Sequence, residues 1–436
     1  MSALIARWNA LNETLAAINP DNRRQLRDAI AHVYQAIATT SGRKLQDFAG
    51  FTEAEIVDGL EQRARDVERG TIAVALDGDD ASIVLDAARL LRAIEEAVVE
   101  GEGYLVGDAE GDLEKASRTS DGRYYVISRM TPLAVPERRP FGRRALLHHR
   151  VLPTEVGIDP DDRFKVRLHR SRLTLSEADM LAGDRRQRRY GAAFFPELKV
   201  DLIPEGQGPF LVKALDGFDA PSLLADHLAR GRAAACDAIV WGELTMPEGS
   251  VEVVQQWLSD EAFGDAQGFR FLVLGSWHRK VGGEMRNVAM VLDGDGEPLC
   301  EVQKWAKFWL GDRPENIVPG NEIHVLIGEE DLILLAICRD FLEIGNDQPY
   351  GQLNVDIAVV PSMIATIEET KTLVNHAAAA HQLGVLYGTR TMVVAQPSEP
   401  LAGKPVGQVM AFPSKPLESP PIAVDGSWYL CALDSP

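Results

Sequence analysis

Apolar positions in the first hundred residues recur at spacings of three and four. In "DNRRQLRDAIAHVYQAIATT", Leu26, Ile30, Val33, Tyr34 and Ile37 fall on one helical face, and Asn19-Pro20-Asp21 ahead of them reads as a helix start. "FTEAEIVDGLEQRARDVERG" opens with Thr52 three residues before Glu55, the spacing of a capping box, and stops at Gly70. "DASIVLDAARLLRAIEEAVVEG" repeats the helical period and also ends on glycine. The pattern predicts three or four packed helices. "GRYYVISRM" predicts a strand, after which Pro132, Pro136 and Pro140 interrupt any regular element.

From about residue 191 the period changes. Short aliphatic runs alternate with helical stretches: "KVDLI", "SLLADHLARGRAAA", "DAIVWGEL", "VEVVQQWLSDEAF", "FRFLVLGSW", "RNVAMVLDGDGEPLCEVQKW", "LILLAICRDF", "VDIAVVPS", "TLVNHAAAAHQLG" and "VLYGTRTMVVA". Asp293-Gly294-Asp295-Gly296 marks a hairpin, because tight turns need the positive φ that glycine adopts freely. Strand–helix alternation with hairpins inserted predicts an α/β layered fold with mixed sheets. The division expected is a mostly helical accessory domain over 1–190 and an α/β domain over 191–436. The proline-rich stretches "PSEPLAGKPVGQ" and "PSKPLESPP" predict extended loops around the second domain.

Composition narrows the function classes. A net charge of -20 repels phosphate, so nucleic acid is not expected as a partner. A basic excess within 137–190 is the exception and reads as a solvated face or a docking surface. No run of eighteen apolar residues is present, and residues 1–20 lack the pattern of a signal peptide, so neither a membrane span nor secretion is expected. Four scattered cysteines without a CxxC pair argue against a disulfide framework or a structural zinc site and suit a reducing, cytoplasmic setting. Walker, GxGxxG and HExxH patterns are absent. His376 and His381 lie five apart on a predicted helix, a spacing that keeps them off one face, so a structural or exposed role is expected. "DGDDASIVLDA" lacks the glycine and the terminal acid of a calcium loop and predicts a helix start.

Three strand ends carry reactive side chains. Glu243 closes "DAIVWGEL", Lys304 closes "EPLCEVQKW" and Cys338 closes "LILLAICRDF". Open α/β sheets place their sites beyond such ends. A thiol, an ammonium and a carboxylate meeting there would form a nucleophile, an oxyanion partner and a base. Taken singly each is weak, since a cysteine at a strand end is more often core and a lone lysine more often a surface charge. A carboxylate after an aliphatic run, by contrast, is seldom buried without a partner.

Together these segments resemble the nitrilase superfamily of carbon–nitrogen hydrolases over about residues 192–433. "CDAIVWGELTMPEG" resembles the general-base segment, ending on Glu243, and "RNVAMVLDGDGEPLCEVQKWAKF" resembles the hairpin that delivers the catalytic lysine, Lys304. "ENIVPGNEIHVL" supplies Glu315 in the place of a second active-site glutamate, and "LAICRDFLE" supplies Cys338 as nucleophile with Asp340 as its acidic companion. The Arg339 N–H takes the place of an oxyanion donor. Lys307 is a rival to Lys304, and Glu197 in "FFPELKVDL" is a decoy base, lying too early in the chain, with the domain's first strand and helix expected after it. Gly242 stands where proline is usual, and Arg339 where an aromatic residue is common.

The resemblance implies an αββα sandwich behind the helical N-terminal domain. It implies a cysteine-dependent hydrolase acting on a small-molecule amide or nitrile through a thioester, without metal or organic cofactor, and a homo-oligomer. Acyl transfer by the same thioester, or a regulatory protein using the fold as a sensor or scaffold, are the alternatives. Arg339, Trp305 and Trp309 near the site point to a polar or anionic ligand.

Overall fold

The computed structural model describes residues 3–39, 51–102, 113–129, 145–157, 163–170, 188–203, 208–217, 219–260, 268–328, 331–342, 349–364, 370–400, 403–412 and 422–433. By contacts the chain forms two compact units, Met1–Val156 with Gln352–Asn354, and Gly157–Gly351 with Val355–Pro436.

The first unit is built on helices Ala3–Leu15, Arg23–Ala38, Leu60–Glu68 and Asp80–Glu102, whose apolar faces (among them Trp8, Ile30, Val33, Ile37, Leu91 and Ile94) pack into one core. The capping box forms: Thr52 Oγ1 accepts from the Glu55 N–H, and the Glu55 carboxylate accepts from the Thr52 N–H. The single helix expected after it is broken, however. Glu53–Val57 ends and a new helix starts at Leu60, because Gly59 adopts a φ of 82° that a continuing helix excludes. Asp79 caps the long helix by accepting from Ser82, the helix start expected for the acidic run. Tyr124–Ser128 is a strand, paired antiparallel with His149–Pro153.

The second unit is built on two large sheets. One has six strands in the order Pro298–Gln303, Glu284–Asp293, Phe271–Val281, Ala238–Trp241, Arg188–Ala193, Trp428–Leu433. The other, eight-stranded, includes in order Ile422–Val424, Gly407–Phe412, Arg390–Pro397, Ile357–Ile364, Leu332–Leu335, Glu322–Ile327 and Arg163–Arg170. Both mix parallel and antiparallel pairs. Their inner faces share one core, in which Tyr190, Val240, Val273 and Val291 of the first sheet meet Leu335, Val359, Met392 and Val394 of the second. Each such side chain, fully removed from water, contributes on the order of 1.5–3 kcal/mol.

Helices Ala220–Ala233 and Ser250–Asp260 cover the outer face of the first sheet through Leu224, Leu228, Val254 and Leu258, and Thr370–Tyr387 packs on Arg390–Pro397 of the second. The layers are therefore helix, sheet, sheet, helix, the αββα sandwich the resemblance implied. No described helix is long and apolar enough to cross a membrane.

Three expectations change. The compact second unit begins at Gly157, ahead of residue 191, because Arg163–Arg170 pairs in parallel with Glu322–Ile327 inside the second sheet. Part of the basic run is thus a strand; residues 137–144 and 171–187 lie outside the described residues. Arg188–Ala193 of the first sheet likewise precedes Glu197, where the domain's first strand was expected only after it. "KVDLI" leaves the sheet to form its own hairpin, Lys199–Ile203 with Leu211–Asp216. The tail is not all loop: Gly407–Phe412 and Trp428–Leu433 return to one sheet each, while "PSKPLESPP" lies outside the described residues.

Candidate active site

Both sheets deliver side chains to one region. Glu243 follows Ala238–Trp241, Lys304 follows Pro298–Gln303, and Cys338 follows Leu332–Leu335 and opens a short 3-10 turn, Cys338–Phe341. The sheets touch here through backbone, the Glu243 N–H donating to the Ser362 carbonyl at 3.2 Å. That approach explains Gly242. A Cβ at this position would lie 2.6 Å from the Gln396 Cβ and 3.2 Å from the Ser362 carbonyl, so a larger residue would push the sheets apart.

Lys304, 1% exposed, lies between two buried carboxylates. Its Nζ donates to Glu243 Oε1 at 2.6 Å and to Glu315 Oε2 at 2.8 Å. Asn287 Nδ2 bridges the same acids, donating to Glu243 Oε1 at 3.0 Å and Glu315 Oε1 at 2.9 Å. The Phe308 N–H donates to Glu315 Oε2 at 3.0 Å. His278 completes the shell. The Val212 N–H donates to its Nδ1 at 2.8 Å, so Nδ1 carries no proton and Nε2–H donates to Glu315 Oε1 at 2.9 Å. A backbone bond thereby sets the imidazole tautomer.

Burial alone would push the Lys304 ammonium down, but Glu243 and Glu315 together outweigh it and hold it above its ordinary range. Burial would likewise raise Glu315; Lys304 and the His278 hydrogen bond reverse that and hold the carboxyl well below its ordinary value of 4.5. Glu315 is thus depressed in the folded state, so its contribution to stability is complete above about pH 4.5 and is lost as pH falls through the folded value. Lys304 is raised, so its contribution holds up to its ordinary 10.5 and is lost only as pH climbs through the folded value. Glu315→Gln is expected to lower the urea midpoint at pH 7 and to converge with wild type on acidification below pH 4. A constant difference across that range would contradict the assignment.

Cys338 has a φ of 46°, a conformation uncommon for residues other than glycine. Its Sγ accepts from Ser362 Oγ at 3.3 Å and lies 3.8 Å from the Met363 carbonyl. Burial pushes the thiol far above its ordinary value, Glu243 adds to the rise, and Lys304 and the Ser362 hydroxyl oppose it. Ser362 links the two strand ends: its hydroxyl donates to the Cys338 sulfur, and its carbonyl accepts from the Glu243 N–H. Asp340 acts as a clamp: its Oδ1 accepts from the Trp305 and Ala306 N–H groups at 3.0 and 2.7 Å, its Oδ2 from the Ile337 N–H at 3.3 Å. The segment after Lys304 is thus tied to the turn that carries the thiol. Burial pushes the Asp340 carboxyl upward, against those amide donors.

A cavity of about 110 Å³ reaches Glu243, Lys304 and Glu315. Its remaining lining is largely apolar, with Val200, Leu202, Phe210 and Val212 from the hairpin beside Leu244, Phe308 and Met363. Cys338 lies behind this lining, next to the Met363 backbone. The polar or anionic ligand expected from Arg339, Trp305 and Trp309 is not supported, because none of the three lines the cavity. Trp305 Nε1 donates to the Tyr350 hydroxyl, and Trp309 is half exposed. Arg339 is half-buried in the turn after the thiol. Lys307 is half-buried and Glu197 exposed, while Lys304 and Glu243 are buried together. Residues missed in the sequence are Asn287, His278 and Ser362; His376, expected to be structural or exposed, is buried with Nε2 3.4 Å from Ser362 Oγ.

No known family model matches the chain, and no curated protein does. Among solved structures it is similar to an amidase from Nesterenkonia sp., at 15% identity and TM-score 0.42, over 58% of this chain and 92% of that one. It is also similar to the glutamine-dependent NAD+ synthetase of Acinetobacter baumannii, at 15% identity and TM-score 0.42, over 57% and 46%. A variant of the amidase from Nesterenkonia sp. AN1, bearing the acetamide moiety of fluoroacetamide on its active-site cysteine, aligns at 15% identity and TM-score 0.42 over 58% and 92%.

Proposed function

We propose that the second unit is a cysteine-dependent hydrolase that cleaves a non-peptide carbon–nitrogen bond. The observation that carries this reading is the buried ammonium of Lys304 held between Glu243 and Glu315, with the Cys338 thiol bonded to Ser362, whose carbonyl accepts from the Glu243 N–H. Charges buried at this cost are kept where they do chemistry or where a partner neutralises them. Here a thiol is joined to them through Ser362, a neighbour that packing alone does not call for.

The proposed sequence follows from the protonation states. The thiol is protonated at neutral pH, so Glu243 takes its proton as Sγ attacks the amide carbon. Lys304 has three N–H bonds and uses two on the carboxylates, leaving one for the developing oxyanion beside the Arg339 N–H. Glu243–H protonates the departing nitrogen, ammonia or an amine leaves, and a thioester remains on Cys338. Water attacks it while Glu243 accepts a proton, the acid departs, and the thiol is restored. Asn287, His278 and Asp340 hold the charged groups in place.

The apolar cavity favours a neutral, compact acyl group of a few carbons. Incubating the protein with neutral aliphatic amides and with amides carrying a terminal carboxylate, then weighing the intact chain, tests both claims. Acyl adducts from the neutral set, absent in Cys338→Ala, are expected at rates at least about tenfold above the charged set, since leaving a charge unpaired in an apolar site costs more than 1.4 kcal/mol. Adducts located on another cysteine would overturn the reading.

A further inference from the structure

We propose a second, metal-binding site that uses none of the residues above: His169, His324 and Cys300 form a two-histidine, one-thiolate site for a zinc-class divalent cation. Their ligand atoms all lie within 4.8 Å of one another, and His169 Nε2 is 3.0 Å from His324 Nδ1. The residues come from three strands. Arg163–Arg170 and Glu322–Ile327 pair in parallel with Leu326 opposite His169 and His324 opposite Arg167. Alternation along paired strands then puts His169, His324 and Leu326 on one face. Leu326 packs in the core between the sheets, and so does Cys300, from Pro298–Gln303 of the facing sheet. The two imidazoles therefore look across the sandwich at the thiol.

Tetrahedral zinc, with bonds of roughly 2.0–2.1 Å to nitrogen and 2.3 Å to sulfur, separates its ligand atoms by about 3.3–3.7 Å. The imidazole pair needs to open by a few tenths of an ångström and the sulfur to close by no more than about 1.5 Å. Two imidazoles and one thiolate match the preference of zinc and its neighbours over that of magnesium or calcium. A carboxylate also lies nearby, just beyond hydrogen-bond reach of the ring. Glu322 Oε2 lies 3.9 Å from His324 Nε2, the nitrogen opposite the proposed ligand atom, while Arg167 donates to Glu322 Oε1 at 2.6 and 2.8 Å and fixes the carboxylate. A small shift of the ring on metal binding would let His324 Nε2–H donate to that carboxylate, the usual outer partner of a ligating histidine. His169 is only half-buried, which leaves room for water as a fourth ligand. On binding, the Cys300 thiol loses its proton to solvent, the proton shared by the imidazoles moves to an outer ring nitrogen, and no electron is transferred. Closely spaced ligand motifs do not detect such a site, because its ligands come from separate strands.

The test uses the full chain in a Cys338→Ala background, which removes the thiol beside Ser362. Equilibrium dialysis against zinc should give one ion per chain. Cobalt should give an intense near-ultraviolet thiolate-to-metal band, lost in Cys300→Ser. Zinc affinity should fall at least about tenfold in Cys300→Ser and in His169→Gln, with unchanged circular dichroism. Because Cys300 is in the core, His169→Gln at the more exposed position guards against a folding artefact. Absence of bound zinc in the parent, or equal binding by parent and both variants, would overturn the proposal, leaving a hydrogen-bonded histidine pair beside an ordinary buried cysteine.

Discussion

Replacing Cys338 with alanine is expected to lower amide turnover by at least about four orders of magnitude while leaving the fold intact. The size of the loss follows from the role. Without sulfur no thioester forms, and Glu243 and Lys304 can only assist direct attack by water, a path that uses their positioning but not the nucleophile. The fold survives because the change removes one buried sulfur atom beside Ser362 and the Met363 backbone. Deletions of that size in a packed interior cost on the order of 1 kcal/mol. The positive φ of Cys338 is kept by the turn, which Asp340 holds through Ile337, and alanine at 46° is strained no more than cysteine is. Initial rates with a neutral amide, alongside a thermal melt, decide the matter. Residual turnover above about 1% in a preparation free of wild-type protein would remove Cys338 as the nucleophile.

The parts of this site that were readable in the sequence are those at strand ends. Glu243, Lys304 and Cys338 each follow an aliphatic run, and a charged or nucleophilic group at that point stands out because the run predicts continued burial. Glu315 was readable only through its Pro-Gly context. His278 and Asn287 were missed because they sit inside strands, where a polar residue at every second position reads as the wet face. Only the pairing shows otherwise: His278 and Asn287 are directly opposite each other, on a face buried by the hairpin and the Glu315 segment.

The same limit hid much of the second sheet's edge. "RFKVRLHR" alternates apolar and basic residues, a clean half-buried strand by period, yet its charges merged with the surrounding basic run. "RRYGAA" has too few aliphatic residues to announce a strand, although Gly191 is required there: a Cβ would fall 2.0 Å from the Trp428 ring. Close packing of this kind depends on partners distant in the chain, so no local window contains it. The polar or anionic ligand expected from the tryptophans after Lys304 lacks support for a related reason. Trp305 and Trp309 are near Lys304 in sequence, but the backbone turns after Lys304, and the cavity wall comes instead from the hairpin some hundred residues earlier.

Lys304→Met offers the largest expected change in stability, and its pH dependence separates an ion cluster from simple packing. Methionine fills most of the lysine's volume, so the loss is chiefly of charge. Glu243 and Glu315 then share Asn287 Nδ2 with no cation between them. Removing one partner of a buried ion pair costs about 3–5 kcal/mol, most of it from the uncompensated charge left behind. Two facing carboxylates relieve that cost by binding a proton, so the folded variant holds a proton that the unfolded chain releases near pH 4–5. A carboxyl raised in the folded state stabilises it at low pH and loses that effect as pH climbs. The deficit of Lys304→Met relative to wild type should therefore be greatest at pH 8 and shrink by roughly 1–2 kcal/mol at pH 5, read from urea midpoints at both values. Turnover should be lost at both, since protonating the acids does not restore a donor to the oxyanion. A deficit independent of pH would mean that the two carboxylates never confront each other, and that Lys304 matters to the fold only through the space it fills.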